Sequence, residues 1–523
     1  MVAAKSDAYD NFSYLNYAYP QTHPDRMGSL AHLFGMDPAP VDNCRVLELG
    51  CGDGANLLPL AVIAPESEFV GIDRAKTPIA NGQAMIQVLE LTNIKLLELD
   101  LTALPDALGQ FDYIIAHGLY SWIPAQIRDA MLALCRSRLN PHGVAYISYN
   151  AYPGCHLRAI VRDAMRFHTS AINDPRERVA QGRSLIKWLA EAHSDDSPYQ
   201  VVLKEFSEHL QNKNEAAVFH DDLADINSPV YFHEFITHAG QHGLQFLSEA
   251  VYFDSTEYNF RPAVAEALRE LGRQTPISKE QYLDLIEGRT FRQTLLCHHE
   301  HKLDRSLRPE LVKDFLLRSQ ARPVSSEINL EANVVEKFES PHRAAISTGF
   351  PLVKAALLHL GEIYPSSASF EGLMEVGRQR LGRLFNTEDA AGGQDKLAEV
   401  LMKAYAANVV ELHLHEPKLI NGPSESPRAS ALARLQAQKD GLCTSLLHDT
   451  IKFEDFLARQ LIILLDGTHD REALRQELLK SVEANTGPNS KEAAEQKAEL
   501  LQRSPDKLEQ KLVELAKLAF LIE

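Results

Sequence analysis

The chain lacks several features that would have placed it quickly. It has no run of about 18 apolar residues, the length a membrane-spanning helix needs, so no membrane insertion is expected. It has no C-x-x-C pair, and its cysteines, Cys44, Cys51, Cys135, Cys155, Cys297 and Cys443, are scattered. A disulfide framework or a structural zinc site is therefore not expected, and reduced thiols fit a cytoplasmic protein. The segment from Met1 to Asp7 lacks the apolar core of a secretory signal. Basic excess is also missing: 53 Lys and Arg stand against 71 Asp and Glu, a net charge of −18. Proteins that neutralise phosphates usually carry the opposite balance, so no nucleic-acid partner is expected.

What is present suffices for a large core: 45% of residues are hydrophobic and 24% charged, ordinary values for a globular chain. The 523 residues predict two to four domains at about 100–200 residues each. The organising stretch runs from Arg45 to Asn56. Arg45–Leu49 predicts a buried strand, and Gly50, Gly52 and Gly54 predict a tight turn that brings bare backbone to a ligand. The helical run 57–63 follows. Glu48, just before the first glycine, would repel a pyrophosphate but suits a ligand with a cationic group. A dinucleotide site needs G-x-G-x-x-G, and here the third glycine comes one position early.

Three more strand ends follow. Residues 68–73 end in Asp73, about twenty residues on, where a ribose-binding carboxylate belongs. Residues 94–100 end in Asp100, and 111–117 end in His117. With a fifth strand at 143–149 and helices at 54–63, 77–90 and 124–139, the alternation predicts an α/β fold with a parallel sheet. Ligands in such sheets lie beyond the carboxyl ends of the strands. That groups Gly50, Asp73, Asp100, residues 116–121 and residues 149–153 around one crevice.

This succession resembles the class I S-adenosylmethionine-dependent methyltransferases. Glu48 to Gly54 is similar to their motif I, Asp73 to their ribose-binding acid and Asp100 to their adenine-contacting acid. The segments Thr22–Pro24, Gly50–Asn56, Tyr149–Gly154, His220–Leu223, Pro229–Phe232, Phe291–Cys297 and Leu464–Arg471 together resemble one bacterial group. Its members carry a methyltransferase domain, a regulatory segment and a C-terminal winged-helix-like domain, and they include protein lysine methyltransferases acting on outer-membrane proteins. The resemblance implies a Rossmann-like sheet, S-adenosylmethionine as cofactor and lysine side chains of a protein substrate as acceptor. For the cofactor it implies Glu48, Gly50, Gly52, Asn56, Asp73, Asp100, Leu101 and His117.

On this reading residues 1–44 form an N-terminal lid or packing helix, with Tyr9, Phe12, Tyr14, Tyr17 and Tyr19 offering rings to a ligand mouth. Residues 45–153 form the cofactor-binding core. Residues 154–321 form a helical cap, with closing strands near 243–252 and 290–297. Residues 322–349 predict a linker, and 350–523 a mainly helical, winged-helix-like domain. Residues 464–500 mix Arg471 and Arg475 with Asp466, Asp470, Glu472 and Glu477, which favours protein contacts or a homodimer there over DNA.

Methyl transfer is an in-line displacement, and a lysine must be neutral to attack. Its free pKa is about 10.4, so the pocket needs desolvation, rings and a hydrogen-bond acceptor more than a strong base. Tyr149, Tyr152 and Trp122 at strand ends are candidate ring walls, and Asn150 a candidate acceptor for the amine N–H. Asn150–Pro153 departs from the N-P-P-Y loop of amino methyltransferases, because it follows the fifth strand, not the fourth. A turn cap is the alternative for Asn150, and core packing for Trp122. His220–Asp221 is expected as a surface pair. Neighbours in Cys297–His301 point to opposite faces of a strand and cannot share an ion. His413 and His415 are expected to face solvent, so no metal is expected. Two other functions stay open: methylation of a small molecule in a sealed pocket, and an interaction protein with a residual methyltransferase fold.

Overall fold

The computed structural model describes residues 16–192, 197–341, 343–385, 387–420, 422–439, 441–486 and 504–522. Seven strands form the central sheet: β1 (Arg45–Leu49), β2 (Glu68–Asp73), β3 (Ile94–Glu98), β4 (Phe111–Ala116), β5 (Leu139–Asn150), β6 (Leu244–Glu249) and β7 (Phe291–His298). Their order is β3-β2-β1-β4-β5-β7-β6. The first five pair in parallel, and β7 runs antiparallel to both β5 and β6. The strand order reverses between β1 and β4, the place where an open α/β sheet leaves a crevice at its carboxyl edge.

Both faces are covered, which is why the strands read as nearly unbroken apolar runs. Alternate residues point to opposite faces. Val46, Phe69, Tyr113, Ile115 and Tyr146 pack towards helices α1 (Pro24–Leu33) and α2 (Leu57–Ile63). Leu47, Val70, Ile114, Ala145 and Ile147 pack on the other side. There helix α4 (Ala125–Arg138) follows β4 in the chain, whereas α3 (Lys76–Val88), after β2, packs through Ile79, Met85 and Ile86 on the α1–α2 face. Strand β5 begins at Leu139, before the turn residues Pro141 and Gly143, and its register against β4 shifts between Phe111 and Tyr113.

Between β5 and β6 the chain forms helices α5 (Cys155–His168), α6 (Pro175–Glu191) and α7 (Pro198–Asn212), then α8 (Phe232–Gln241). The first three share a small core of their own around Met165, Ile186 and Leu203. Helices α9 (Pro262–Gln274) and α10 (Pro276–Glu287) fill the β6–β7 connection. Arg292 of β7 is fully buried and meets Asp284 of α10, Glu249 of β6 and Glu280. Such a network has to be satisfied on all sides to be tolerated, and here it ties the antiparallel hairpin to α10.

Three expectations fail here. Residues 322–349 are no linker. They form a three-stranded antiparallel sheet of β9 (Arg322–Pro323), β10 (Glu336–Glu339) and β11 (Ala345–Thr348). The buried Lys354 ammonium donates to the carbonyls of Asn329, Glu331 and Val334 and so pins the intervening loop. His413 does not face solvent. It lies on β13 (Glu411–His413), in a small sheet ordered β12 (Ala368–Ser369), β8 (Leu316–Arg318), β13, and is buried, with Nδ1 2.6 Å from Asp25 of α1 and Nε2 3.1 Å from Glu411. His220 is buried as well, in a wide helical turn, Val218–Asp222. In that turn Asp222 accepts from Arg158 and Lys213.

Helices α11 (Pro351–Ile363), α12 (Phe370–Leu381) and α13 (Thr387–Ala406) share one continuous core with the α1–α2 face of the sheet. A separate cluster, including Ala433, Cys443, Leu461, Leu474, Leu512 and Phe520, holds the last unit. That unit contains α14 (Ala431–Lys439), the hairpin β14 (Leu442–Thr444) and β15 (Thr450–Lys452), α15 (Phe456–Leu464), α16 (Arg471–Thr486) and α17 (Ser504–Lys517).

Candidate active site

The chain leaves β1 through Gly50, Gly52 and Gly54, all with positive φ, a conformation glycine adopts without a steric penalty. Asp73 at the end of β2 holds this turn: its Oδ2 accepts from Gly52 N–H at 2.9 Å and its Oδ1 from Ala75 N–H at 2.8 Å. Asp100 accepts from both the backbone and the hydroxyl of Thr102, which keeps its carboxyl low, and Arg74 stands 3.6 Å away. Leu101 follows, half-buried against the sheet's second face.

Glu48 lies under the turn, buried. One oxygen accepts from Asn56 Nδ2 at 2.9 Å, and the other, Oε2, is buried with no partner among the described residues. Burial pushes its carboxyl up to about 8; Asp73 and Asp53 add to the rise, and the Asn56 hydrogen bond opposes it. A buried carboxyl with an orphan oxygen is a site awaiting a cation or a donor.

Asn56 is the junction of three distant segments. Its Oδ1 accepts from Tyr19 N–H at 2.9 Å, from the Thr22 hydroxyl at 3.1 Å, and lies 2.9 Å from His448 Nε2. His448 occupies the tip of the β14–β15 hairpin, fully buried and with positive φ. The wing of the last unit therefore reaches the glycine turn. Thr450 on the same hairpin accepts from Ala18 N–H at 3.2 Å.

The N-terminal segment lies across the crevice. Asn16 donates to Asp53 at 3.1 Å, and a Cβ at Gly52 would stand 2.1 Å from Asn16 Nδ2. The Tyr19 ring stacks on His117 at 3.7 Å. His117 bonds the Tyr146 hydroxyl at 2.9 Å, and burial lowers its pKa to about 4, so the imidazole is neutral. Tyr9, Phe12 and Tyr14 lie outside the described residues.

The β4 and β5 ends form the opposite wall. Asn150, buried, donates its N–H to Ser121 Oγ at 2.8 Å and its amide nitrogen to Asn227 Oδ1 at 2.9 Å. Ser121 O accepts from Ser228 N–H, and Asn150 O from Val230 N–H. Tyr152 is half-buried, its ring stacked on His156 at 4.0 Å and tilted to Tyr231 at 5.3 Å. Trp122 is half-buried on the short turn Tyr120–Trp122. Tyr149 is placed differently from the expected pocket wall. It is buried in the sheet's second face, stacked on Phe235 at 4.1 Å, with its hydroxyl 3.2 Å from Thr294. Strand alternation sends it away from its neighbour Asn150.

Sequence reasoning missed His448, Asn227 and Tyr231. His448 sits 392 positions from Asn56, and no local pattern links them. Pro229–Phe232 stands out only as a segment of the family resemblance, with no site role attached to it. In Cys297–His301, His298, His299 and His301 each bond a backbone carbonyl, of Leu139, Gly243 and Pro141.

Three family models match parts of this chain: a methyltransferase domain over residues 46–143, a predicted methyltransferase regulatory domain over 214–298, and a PKMT C-terminal winged helix domain over 425–520. An uncharacterised protein of Rickettsia prowazekii (strain Madrid E) is 32% identical over 495 residues, covering 92% of this chain and 87% of its own. A second from the same organism is 34% identical over 233 residues, 44% of this chain and 93% of its own. The solved structure of PKMT2 from Rickettsia typhi in complex with AdoHcy superimposes with a TM-score of 0.84 at 26% identity, over 98% of this chain and 100% of that one. Among the described residues no helix is long and apolar enough to cross a membrane. The chain belongs to the S-adenosylmethionine-dependent methyltransferases that combine a methyltransferase domain with a methyltransferase regulatory domain and a PKMT-type winged helix domain.

Proposed function

We propose that this enzyme methylates lysine side chains of a protein substrate. The observation that carries the acceptor class is the match to PKMT2 along nearly the whole chain, regulatory segment and wing included. The site's own chemistry agrees. Asp73 would hold the donor's ribose, and Asp100 and Leu101 its adenine, beside the glycine turn. Glu48, with one oxygen unpartnered among the described residues, gives up its proton to face the donor's cationic end as a carboxylate. Asn56 holds Glu48 in place, and Gly50 and Gly52 leave room for the donor to lie on backbone. His117 and Tyr19 close the mouth against water. S-adenosylmethionine, when bound, supplies an electrophilic methyl group on a positively charged sulfur.

The acceptor enters between the β4 and β5 ends. Asn227 takes one N–H of the Asn150 amide, which leaves the Asn150 carbonyl oxygen to accept from the incoming amine. Such a bond fixes the lone pair along the line of displacement. Tyr152, Tyr231 and Trp122 line the approach with rings, which disfavour hydration of an ammonium and attract the charge that develops on nitrogen. No strong base is needed once the amine arrives neutral.

Incubation with isotopically labelled methyl donor and a whole-cell extract, followed by mass spectrometry, tests the acceptor. Label on lysine Nζ of proteins is the expected outcome. Label confined to small molecules would replace this reading with the sealed-pocket alternative.

A further inference from the structure

We propose that Asp129, His238 and His242 form a transition-metal site, best suited to Zn²⁺, that clamps the regulatory segment to the methyltransferase domain. Asp129 lies on α4, inside the methyltransferase-domain match; His238 lies on α8 and His242 directly after it, inside the regulatory-domain match. Each offers one ligand atom, and the three atoms lie within 4.8 Å of one another. Asp129 Oδ1 stands 2.9 Å from His242 Nε2 and 3.6 Å from His238 Nε2. Bonds of about 2.0–2.1 Å at tetrahedral angles place ligand atoms about 3.3 Å apart. The two separations from Asp129 bracket that value.

The spacing has a simple origin. Residues four apart on a helix share a face, so His238 and His242 present two imidazoles together. Their rings are 5.5 Å apart at 66°, so they do not stack against each other. The donor set of two imidazoles and a carboxylate is a borderline one that favours zinc over the hard, oxygen-loving cations. Asp129 is well exposed, so the fourth position opens to water, as in sites with three protein ligands.

A second observation supports the site. His238 Nδ1, the nitrogen turned away from Asp129, is 2.9 Å from the Tyr120 hydroxyl. A metal-binding histidine characteristically has its other ring nitrogen held by an oxygen partner, which sets the tautomer and ring plane. Tyr120 is buried, with Phe235 of α8 edge-on to its ring at 5.0 Å. The next residue, Ser121, accepts from the Asn150 backbone. The clamp therefore joins the outer surface to the acceptor wall through Tyr120.

The full-length protein, stripped of metal with a chelator, is titrated with Zn²⁺ against a chromophoric competitor, and with Co²⁺ for its visible spectrum. Wild type is expected to take up one tight equivalent with an intense, low-symmetry Co²⁺ band. His242→Gln and Asp129→Asn are each expected to weaken that equivalent at least tenfold. Tyr120→Phe is expected to weaken it about tenfold while keeping the Co²⁺ band. Hydrogen exchange in α8 is expected to slow with Zn²⁺ in wild type and not in His242→Gln. Equal uptake by wild type and the two ligand variants, or no saturable equivalent in wild type, overturns the proposal.

Discussion

The two walls of the crevice are braced in different ways. The donor wall, at the ends of β1 and β2, is held by the far ends of the chain: Tyr19 and Thr22 from one side, His448 from the other, all meeting at Asn56. The acceptor wall, at the ends of β4 and β5, is held from the middle of the chain, by Asn227, Ser228 and Val230 just before α8. The sheet is common to both, yet neither wall is complete within residues 46–143 that match the methyltransferase domain. The regulatory segment and the winged helix unit each finish one side. A change in either unit is thus expected to act on one substrate and spare the other.

The largest effect belongs to the acceptor wall. Asn150→Ala removes the carbonyl offered to the amine and the bond to Asn227. Turnover should fall about 10²-fold, the usual cost of losing near-attack alignment, while donor affinity measured by calorimetry stays within about twofold, a split that kcat and Kd together test. Equal losses in both would erase the distinction between the walls.

The donor wall breaks at Asp73. Asp73→Ala removes a carboxylate that accepts from Gly52 and Ala75. Hydrogen bonds to a charged group are worth about 1.5–3 kcal/mol, so affinity for S-adenosylmethionine should fall about 10- to 100-fold by calorimetry. Unchanged affinity would remove Asp73 from the donor site. A smaller effect sharpens the role of the wing. His448→Ala strips Asn56 Oδ1 of one of its partners, and donor affinity should drop about tenfold at most, in line with one buried hydrogen bond of about 1 kcal/mol. Combined with Asn56→Ser in a double-mutant cycle, the two losses should be less than additive; independent, additive losses would mean the wing does not act through this contact.

How much of this was legible beforehand follows from the range of the interactions. Strands β1 to β4 were readable because a parallel sheet buried on both faces demands apolar runs, and the acids at their ends stand out against them. Glu48, Asp73 and Asp100 belong to that local grammar. Tyr149 was misjudged because two adjacent strand residues, 149 and 150, were assigned to one surface, while the pleat sends them to opposite faces. The buried His413 and Lys354 were unreadable, since their partners lie hundreds of positions away at Asp25 or are bare carbonyls. His448 shares that difficulty. Asn56 was picked out for its place in the motif, but its role as a three-way junction comes only from tertiary contacts.

The finest test of the donor wall is its pH dependence, because the Glu48 carboxyl in that wall is displaced far above its ordinary range. Glu48 rises from 4.5 to about 8, chiefly through burial. In the unliganded protein the folded state keeps this proton while the unfolded state has released it, so Glu48's contribution to stability declines as pH climbs from about 4.5 to about 8. A cationic ligand reverses the preference by favouring the carboxylate, and binding then expels a proton. Affinity for the methyl donor should therefore increase with pH up to about 8, by no more than tenfold per unit, and level off above it. At pH 7 calorimetry in buffers of different ionisation enthalpy should register close to one proton released per donor bound. In Glu48→Gln that release should vanish and the profile flatten, while Asp100→Asn should leave both intact, since the Asp100 carboxyl is already ionised at that pH. A proton release that survived in Glu48→Gln would mean that some other group faces the sulfonium, and that the orphan oxygen beneath the glycine turn serves packing alone.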